Sequence, residues 1–214
     1  MTTLIVVRHG QSQSNLEKRF TGQGNTELTP LGRMQAERTA EFLKDYPIST
    51  IYASDLHRAM DTAKPTADMH GVEVIPDPAL REVCAGQWEG KLYDDLAEEF
   101  GESFSKWLND LGHAHPEGGE SAVDVAERVY KEVDRILETH RGQCIALFTH
   151  ATPTRMLGCR WFGRAPEDAA SVRGCGNASV SVVEYDDEGN FRVVHYGYDE
   201  HQGELATRLP GKLS

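Results

Sequence analysis

Two short runs of apolar residues that each end near a histidine constrain the fold of this chain more than any other feature. Residues 4–7 lead into Arg8 and His9, and residues 144–148 lead into His150. Uninterrupted apolar runs of this length are typical of strands that are buried on both faces of a parallel sheet. Neighbouring parallel strands end at the same edge of a sheet, where open α/β proteins bind their ligands. We therefore expect the two imidazoles to lie close together.

Helical patterns separate these strands along the chain. The spacing of apolar residues predicts helices over about 30–44, 56–69, 122–139 and 152–162. Further strands are predicted over 50–53, 72–75, 178–185 and 191–196, the last two as a hairpin. This alternation favours an α/β fold, a three-layer α/β/α sandwich with a mainly parallel central sheet. Without an internal repeat or a dividing linker, residues 1–214 are expected to form a single catalytic domain that ends in a loose tail of about a dozen residues.

Residues 83–120, called the cap segment below, differ in character from the rest of the chain. They hold two of the three tryptophans, Trp88 and Trp107, together with His113 and His115. We predict two short helices with loops, inserted between the main α/β units and covering the site. Two histidines in a loop are more often solvated than bound to a metal, so we expect solvated side chains and not a metal pair. Their role is not specified by the sequence.

The charge balance excludes several classes of function. The chain has 22 Lys and Arg against 34 Asp and Glu, a formal net charge of −12. Proteins that bind nucleic acid or anionic lipid present basic surfaces, so we expect neither partner. No apolar stretch approaches the ~18–20 residues of a membrane span, and the N-terminus does not resemble a secretory signal. Four cysteines without a Cys-x-x-Cys pair then favour a cytoplasmic location with reduced thiols. A homodimer is compatible with the sequence and is not specified by it.

The residues beside the two histidines have the chemistry of a phosphate site. Arg8 precedes His9, and Arg58 follows the strand end at Ser54 by four residues. The planar donor fork of arginine matches phosphate oxygens. The helix that starts after His150 adds backbone N–H donors. The sequence therefore predicts a small cationic pocket for one phosphoryl group within an acidic protein.

The order of these residues resembles that of the histidine phosphatase superfamily, which has a phosphoglycerate-mutase-like fold. Seven blocks match between about residues 4 and 160, so the resemblance covers most of the chain. The blocks are RHGQSQSN at 8–15, FxG at 20–22, LTPLGxxQA at 28–36, SDLHRA at 54–59 with TA at 62–63, LRE at 80–82 with GxWEG at 86–90, PxGGES at 116–121 and TH at 149–150.

The resemblance implies phosphoryl transfer to a histidine. It makes His9 the nucleophile and Glu82 the proton donor to the leaving oxygen, which then becomes the base that activates water. Arg8, Arg58 and His150 complete the catalytic set. The residues expected to bind the phosphate are Arg8, Asn15, Arg58, His150 and Ala151. Because arginines and a second histidine supply the positive charge, we expect no metal and no cofactor.

One position departs from the family pattern. The residue after the second histidine is usually Gly, and here it is Ala151. A helical backbone at this position accommodates Ala without strain, so we expect Ala151 to lie in the first turn of the helix. Pro153 removes one N–H from the same turn. An amide contact to phosphate is therefore expected from Ala151 or Thr152.

Three functions share such a site. The cofactor-dependent phosphoglycerate mutases carry a basic insert after the Leu-x-Glu block, whereas here acidic residues follow, among them Asp94 and Glu98. We therefore predict a metal-independent phosphomonoesterase, a histidine acid phosphatase-like hydrolase acting on a small phosphorylated metabolite, with a mutase-type phosphoryl transfer as the alternative. A non-catalytic phospho-ligand binder is the third interpretation, and the presence of both His9 and Glu82 argues against it. The sequence does not specify the physiological substrate.

Overall fold

A single six-stranded sheet forms the centre of the molecule, as a computed structural model that describes residues 1–207 shows. The strands are β1 (Thr2–Arg8), β2 (Ile48–Ala53), β3 (Val74–Pro76), β4 (Cys144–Thr149), β5 (Val180–Tyr185) and β6 (Phe191–Tyr198). Their order is β3-β2-β4-β1-β5-β6. The first four in this order are parallel, while β5 is antiparallel to β1 and β6 to β5. The predicted mainly parallel sheet and terminal hairpin are confirmed.

Within residues 1–207, six α-helices connect the strands. They are α1 (Gln13–Glu17), α2 (Pro30–Leu43), α3 (His57–His70), α4 (Tyr93–Asn109), α5 (Ala122–Thr139) and α6 (Ala151–Trp161). Two start where the sequence places a cap. Thr29 accepts a hydrogen bond from Gly32 N before α2, and Ser121 forms a capping box with Asp124 before α5. These side chains satisfy N–H groups that the first helical turn leaves without intrahelical partners.

The sheet separates two hydrophobic cores. Successive side chains of a strand point to opposite faces, so Leu4 and Val6 contribute to one core while Ile5 and Val7 contribute to the other. The first core also contains buried residues of α4, α5 and α6, and the second contains residues of α2 and α3. Helices therefore cover both faces, and the predicted three-layer α/β/α sandwich is confirmed.

The cap segment packs on the first core. Its helix α4 is broken at Gly101, where φ is 35° and ψ is −100°, so it consists of two short helical pieces, as the sequence predicts. Short 3-10 turns at Gly86–Trp88 and Leu111–His113 precede and follow it. Trp88 is fully buried, and its ring contacts those of Phe20, Phe100, Phe104 and Trp107.

This aromatic cluster gives a test of what holds the cap segment in place. Trp88→Ala is expected to lower the free energy of unfolding by about 3–5 kcal/mol, because it leaves a large cavity among four rings. Urea denaturation of the full chain measures the effect. Phe162→Ala, whose side chain is exposed, should cost less than about 1 kcal/mol. Equal midpoints for the two variants would contradict the central role of Trp88.

The predicted loose tail is wrong for part of its length. Glu200–Leu205 forms a 3-10 helix that packs on α2. Gln35 in α2 donates a hydrogen bond to the Leu205 carbonyl at 2.7 Å, and Gln202 is fully buried. The composition of this segment is polar, so no apolar period signals its docking. The remainder of the predicted tail, residues 208–214, lies outside the described residues.

None of the helices in residues 1–207 is both long enough and apolar enough to cross a membrane. The cytoplasmic location stays a prediction.

Candidate active site

The carboxyl ends of β1 and β4 bring His9 and His150 together. These strands are hydrogen-bonded neighbours, with Arg8 opposite Thr149. The two imidazole centroids lie 5.1 Å apart in an edge-to-face arrangement, and both side chains are buried. The proximity that the two apolar runs predict is therefore confirmed.

The orientation of His9 leaves one ring nitrogen available for chemistry. Its Nδ1 is 2.7 Å from the Gly10 carbonyl oxygen, a bond that requires the proton on Nδ1. Arg58 Nε donates to the other nitrogen, Nε2, at 3.3 Å. Burial, followed by the positive charges of Arg58 and Arg8, holds the pKa of His9 well below its usual range. His9 is therefore neutral at physiological pH, with a lone pair on Nε2.

Arg58 is held by the backbone of the loop that follows α1. Its Nη1 and Nη2 donate to the carbonyl oxygens of Gly24 and Gly22 at 2.9 and 2.8 Å. Gly22 has a φ of +51°, and a Cβ there would lie 2.1 Å from Glu89 Oε1, so only glycine fits. Burial lowers the pKa of Arg58 to about 10, which keeps it charged at neutral pH.

Arg8 and His150 each present a buried nitrogen without a partner. Arg8 Nη1 donates to the Cys175 carbonyl oxygen at 2.5 Å, and His150 Nε2 lies 2.8 Å from Ser54 Oγ. Arg8 Nε and His150 Nδ1 have no hydrogen-bond partner within residues 1–207. Because buried polar atoms are nearly always paired in proteins, two such atoms beside His9 indicate a site for a polar ligand. Burial, followed by the charge of Arg58, also lowers the pKa of His150.

The Glu82 carboxylate binds the start of α6. Its Oε1 accepts from Val83 N at 2.9 Å and Thr152 N at 3.2 Å, while its Oε2 accepts from Ala151 N at 3.1 Å. Ala151 is the first residue of α6, and the helical backbone expected there is confirmed. Its N–H donates to the Glu82 carboxylate, which lies at the positive end of the helix. The phosphate contact expected from Ala151, which also lines the cleft described below, stays a prediction.

Asn15 reaches the site through the capping of α1. Ser12 caps this helix, and Ser12 N donates a hydrogen bond back to Asn15 Oδ1 at 3.1 Å. The Asn15 side chain lines the same cleft as His9 and Arg8. The other lining residues come from the loop after α1, from α3, from Glu82 and the cap segment, from α6 and from the segment before β5. They are Arg19, Phe20, Thr21, Gly22, Arg58, Glu82, Val83, Tyr93, Trp107, Leu111, Ala151, Thr152, Arg155, Gly174 and Cys175.

Several contacts of the site have no counterpart in the sequence analysis. The Cys175 carbonyl that binds Arg8 is 167 residues away along the chain, and no motif marks it. Arg58 also binds the backbone carbonyl oxygens of Gly22 and Gly24. The residue type alone does not reveal where a backbone carbonyl points. Ser54 is different, because it opens the block that contains Arg58, and that block is a signal from which its role could be found.

Three further histidines have exposed side chains. His57 is exposed, with Nδ1 3.0 Å from Glu27. His113 and His115 are exposed, and each uses one ring nitrogen locally, towards Asp110 and the Gly119 carbonyl. In the described part of the chain, no three His, Cys, Asp or Glu side chains are grouped as metal ligands.

The two buried, neutral histidines make stability depend on pH. In the unfolded chain His9 and His150 titrate near their ordinary pKa of about 6.5, whereas burial lowers both values in the folded protein. Below about pH 6.5 the unfolded state therefore binds up to two more protons, and stability falls as the pH decreases, by up to about 2.7 kcal/mol per pH unit. Above about pH 6.5 the pair contributes no slope.

Urea denaturation between about pH 7.5 and about pH 5.5 measures this slope. His150→Gln should reduce it by up to about 1.4 kcal/mol per unit, whereas His57→Gln, at an exposed site, should leave it unchanged. Burial lowers the pKa of His201 to about 4. This residue therefore makes the same contribution to the pH dependence of stability in every variant. An unchanged slope in His150→Gln would contradict the buried neutral state.

Comparisons with known proteins agree with this geometry. The model of the histidine phosphatase superfamily (branch 1) matches residues 4–199. Phosphoserine phosphatase 1 of Hydrogenobacter thermophilus is 31% identical over 96% of this chain and 96% of its own. Among solved structures, YhfR of Bacillus stearothermophilus has a TM-score of 0.89 and 29% identity over 94% of this chain and 99% of its own. The mycobacterial glucosyl-3-phosphoglycerate phosphatase Rv2419c, solved with VO3, has a TM-score of 0.83 and 30% identity over 92% of this chain and 99% of its own.

The family model matches most of the chain, and a relative aligns with it almost from end to end. The site also combines two histidines with two arginines. The chain belongs to branch 1 of the histidine phosphatase superfamily.

Proposed function

We propose that this protein hydrolyses phosphomonoesters by way of a phosphohistidine on His9 Nε2. The observation that carries the proposal is the orientation of His9, whose Nδ1 is fixed by the Gly10 carbonyl while Nε2 lies 3.3 Å from Arg58 Nε in a buried cationic pocket. A neutral imidazole nitrogen is a competent nucleophile. Arg58 Nε stabilises that lone pair until a phosphoryl group arrives, and it then becomes available to a phosphoryl oxygen.

In the first step His9 Nε2 attacks phosphorus and the bond from phosphorus to the ester oxygen breaks. The carboxyl group of Glu82 gives its proton to that oxygen, so the alcohol leaves neutral. Arg8, Arg58 and His150 donate to the oxygens of the transferring group, where fixed donors stabilise the developing charge. The unpartnered Arg8 Nε and His150 Nδ1 are the donors that such a group satisfies.

In the second step a water molecule attacks the phosphohistidine. The Glu82 carboxylate, now without its proton, accepts one from this water as its oxygen bonds to phosphorus. The bond between phosphorus and Nε2 breaks, His9 returns to its neutral state and inorganic phosphate leaves. Three backbone N–H groups hold the Glu82 side chain in place in both steps, and they stabilise the carboxylate that accepts the proton in the second step.

The substrate in this proposal is a small phosphorylated metabolite with a single phosphoryl group. The cleft combines a cationic end with an outer wall of cap-segment side chains, Tyr93, Trp107 and Leu111. We propose that residues 83–120 act as a cap that sets specificity within one catalytic domain. Phosphoserine and glucosyl-3-phosphoglycerate, named for the relatives, belong to the compounds to be tested first. The net charge of −12 disfavours polyphosphates at the outer surface.

A panel of phosphorylated metabolites tests this function and its alternative. Inorganic phosphate release in the presence of EDTA supports a metal-independent phosphomonoesterase, and faster release at acid pH supports its finer assignment as histidine acid phosphatase-like. Isomerisation of 3-phosphoglycerate with 2,3-bisphosphoglycerate that outpaces phosphate release would favour the mutase. Binding without turnover would favour the phospho-ligand module. The oligomeric state, including a homodimer, stays a prediction for solution measurements.

A further inference from the structure

Asn177 lies behind Asn15, and no sequence pattern singles it out. It precedes β5 and is only 4% exposed. Its Nδ2 donates two hydrogen bonds, one to the His9 carbonyl oxygen and one to Asn15 Oδ1, both at 3.1 Å. Both acceptors belong to residues of the proposed site, so this one side chain ties the end of β1 to α1.

The contacts of Asn15 decide which end of its amide faces the cleft. Asn15 Oδ1 accepts from Ser12 N and from Asn177 Nδ2, each at 3.1 Å. An amide oxygen has two lone pairs, and both are used here. Asn15 Nδ2 donates to no group within residues 1–207. The donor end of the amide is therefore the part that the cleft presents to a ligand.

A third residue binds the other end of the Asn177 amide. Thr207 Oγ1 donates to Asn177 Oδ1 at 3.0 Å. The His9 carbonyl oxygen and Asn15 Oδ1 can only accept, so they place Asn177 Nδ2 on their side and exclude the flipped amide. The Thr207 hydroxyl, which can donate or accept, then donates to Oδ1. Thr207, Asn177 and Asn15 thus form a chain of hydrogen bonds with one consistent direction, running from the end of the described chain to the cleft.

We infer that Asn177 is a positioning residue that holds Asn15 Nδ2 towards the phosphoryl group. The inference rests on the proposed function, since it assigns the cleft to a phosphoryl group. A hydrogen bond to a charged phosphoryl oxygen is stronger than one between neutral groups. Its geometry therefore matters to affinity, and Asn177 controls that geometry without touching the ligand.

Asn177→Asp tests the inference with almost no change in shape. A carboxylate cannot donate, so it faces two acceptors, and the Asn15 amide has to turn its Nδ2 away from the cleft to satisfy it. We expect inorganic phosphate to bind the full chain about 10–100-fold more weakly, as measured by isothermal titration calorimetry. Asn190→Asp is the matched control, because it adds the same charge in the turn between β5 and β6, at the opposite end of the sheet from His9. It should change phosphate affinity by less than about twofold.

The same substitution in an Asn15→Ala background separates positioning from other effects. If Asn177 acts through Asn15, then Asn177→Asp should weaken phosphate binding by less than about threefold in that background. A general electrostatic or structural effect gives the same factor in both backgrounds, and that result would overturn the inference. So would a folded Asn177→Asp variant with unchanged phosphate affinity.

Thr207→Val keeps the inference testable if Asn177→Asp does not fold. It removes only the outer hydrogen bond, and we expect phosphate to bind about 3–10-fold more weakly, with the effect lost in the Asn15→Ala background. Equal affinities for Thr207→Val and the wild type would then overturn the inference. Phosphate binding does not require turnover, so a wild-type protein that binds phosphate and hydrolyses nothing would refute the proposed function while leaving the role of Asn177 to be judged by these affinities.

Discussion

Replacing His9 by alanine is expected to reduce the hydrolysis of p-nitrophenyl phosphate by about 10⁴-fold or more, because the covalent route disappears with its nucleophile. The variant removes the whole imidazole, including the Nε2 that accepts a hydrogen bond from Arg58 Nε. Wild-type protein that is mixed with substrate and quenched in base should carry phosphate on histidine, and His9→Ala should carry none. The reaction is measured with EDTA present, where the wild type should keep its activity.

A neighbouring histidine supplies the control. His57 is exposed and pairs with Glu27, and His57→Ala should keep kcat within about twofold of the wild type. Residual activity of His9→Ala near the wild-type level, or phosphate trapped on His57, would refute the assignment of the nucleophile. Because His9→Ala keeps Arg8 and Arg58, it should still bind inorganic phosphate, which separates a catalytic loss from a folding loss.

The sequence predicts those parts of the fold that local rules control. Thr29 and Pro30 predict the start of α2, and the apolar runs before His9 and His150 predict the two central strands. Since adjacent parallel strands end together, the same pattern also places the two imidazoles. The proximity of His9 and His150 is predictable because it follows from the parallel pairing of β1 with β4.

The rest of the site depends on contacts that no local pattern encodes. Asn177 reaches His9 across 168 residues, and the loop that contains it has no helical or strand period. The sequence assigns the Ala151 N–H to phosphate because a helix N-terminus attracts anions, yet the anion that binds there is the Glu82 carboxylate of the protein itself. The sequence predicts that this N–H binds an anion, but it does not reveal that a carboxylate of the chain itself accepts the hydrogen bond.

Glu82→Gln is expected to have an effect that depends on the leaving group. For an alkyl phosphate, kcat/KM should fall by about 10²–10⁴-fold, because an alkoxide needs a proton as it leaves. For p-nitrophenyl phosphate, whose phenolate leaves without a proton, kcat/KM should fall by less than about tenfold, since it reports only the transfer to His9. Its kcat should nevertheless fall strongly, because water is no longer activated, and p-nitrophenol should appear as a burst equal to the enzyme concentration.

This contrast between substrates separates chemistry from structure at a residue that serves both. Glu82 accepts from Val83 N, Ala151 N and Thr152 N, and the side-chain amide introduced by Glu82→Gln would place N–H groups against some of these donors. A displaced start of α6 would reduce kcat/KM for both esters by the same factor, without a burst, and would contradict the acid–base role. Glu117→Gln, at an exposed position of the cap segment, should leave both esters within about twofold of the wild type. Only a loss of proton transfer lowers kcat/KM for the alkyl ester selectively and also lets phosphohistidine accumulate.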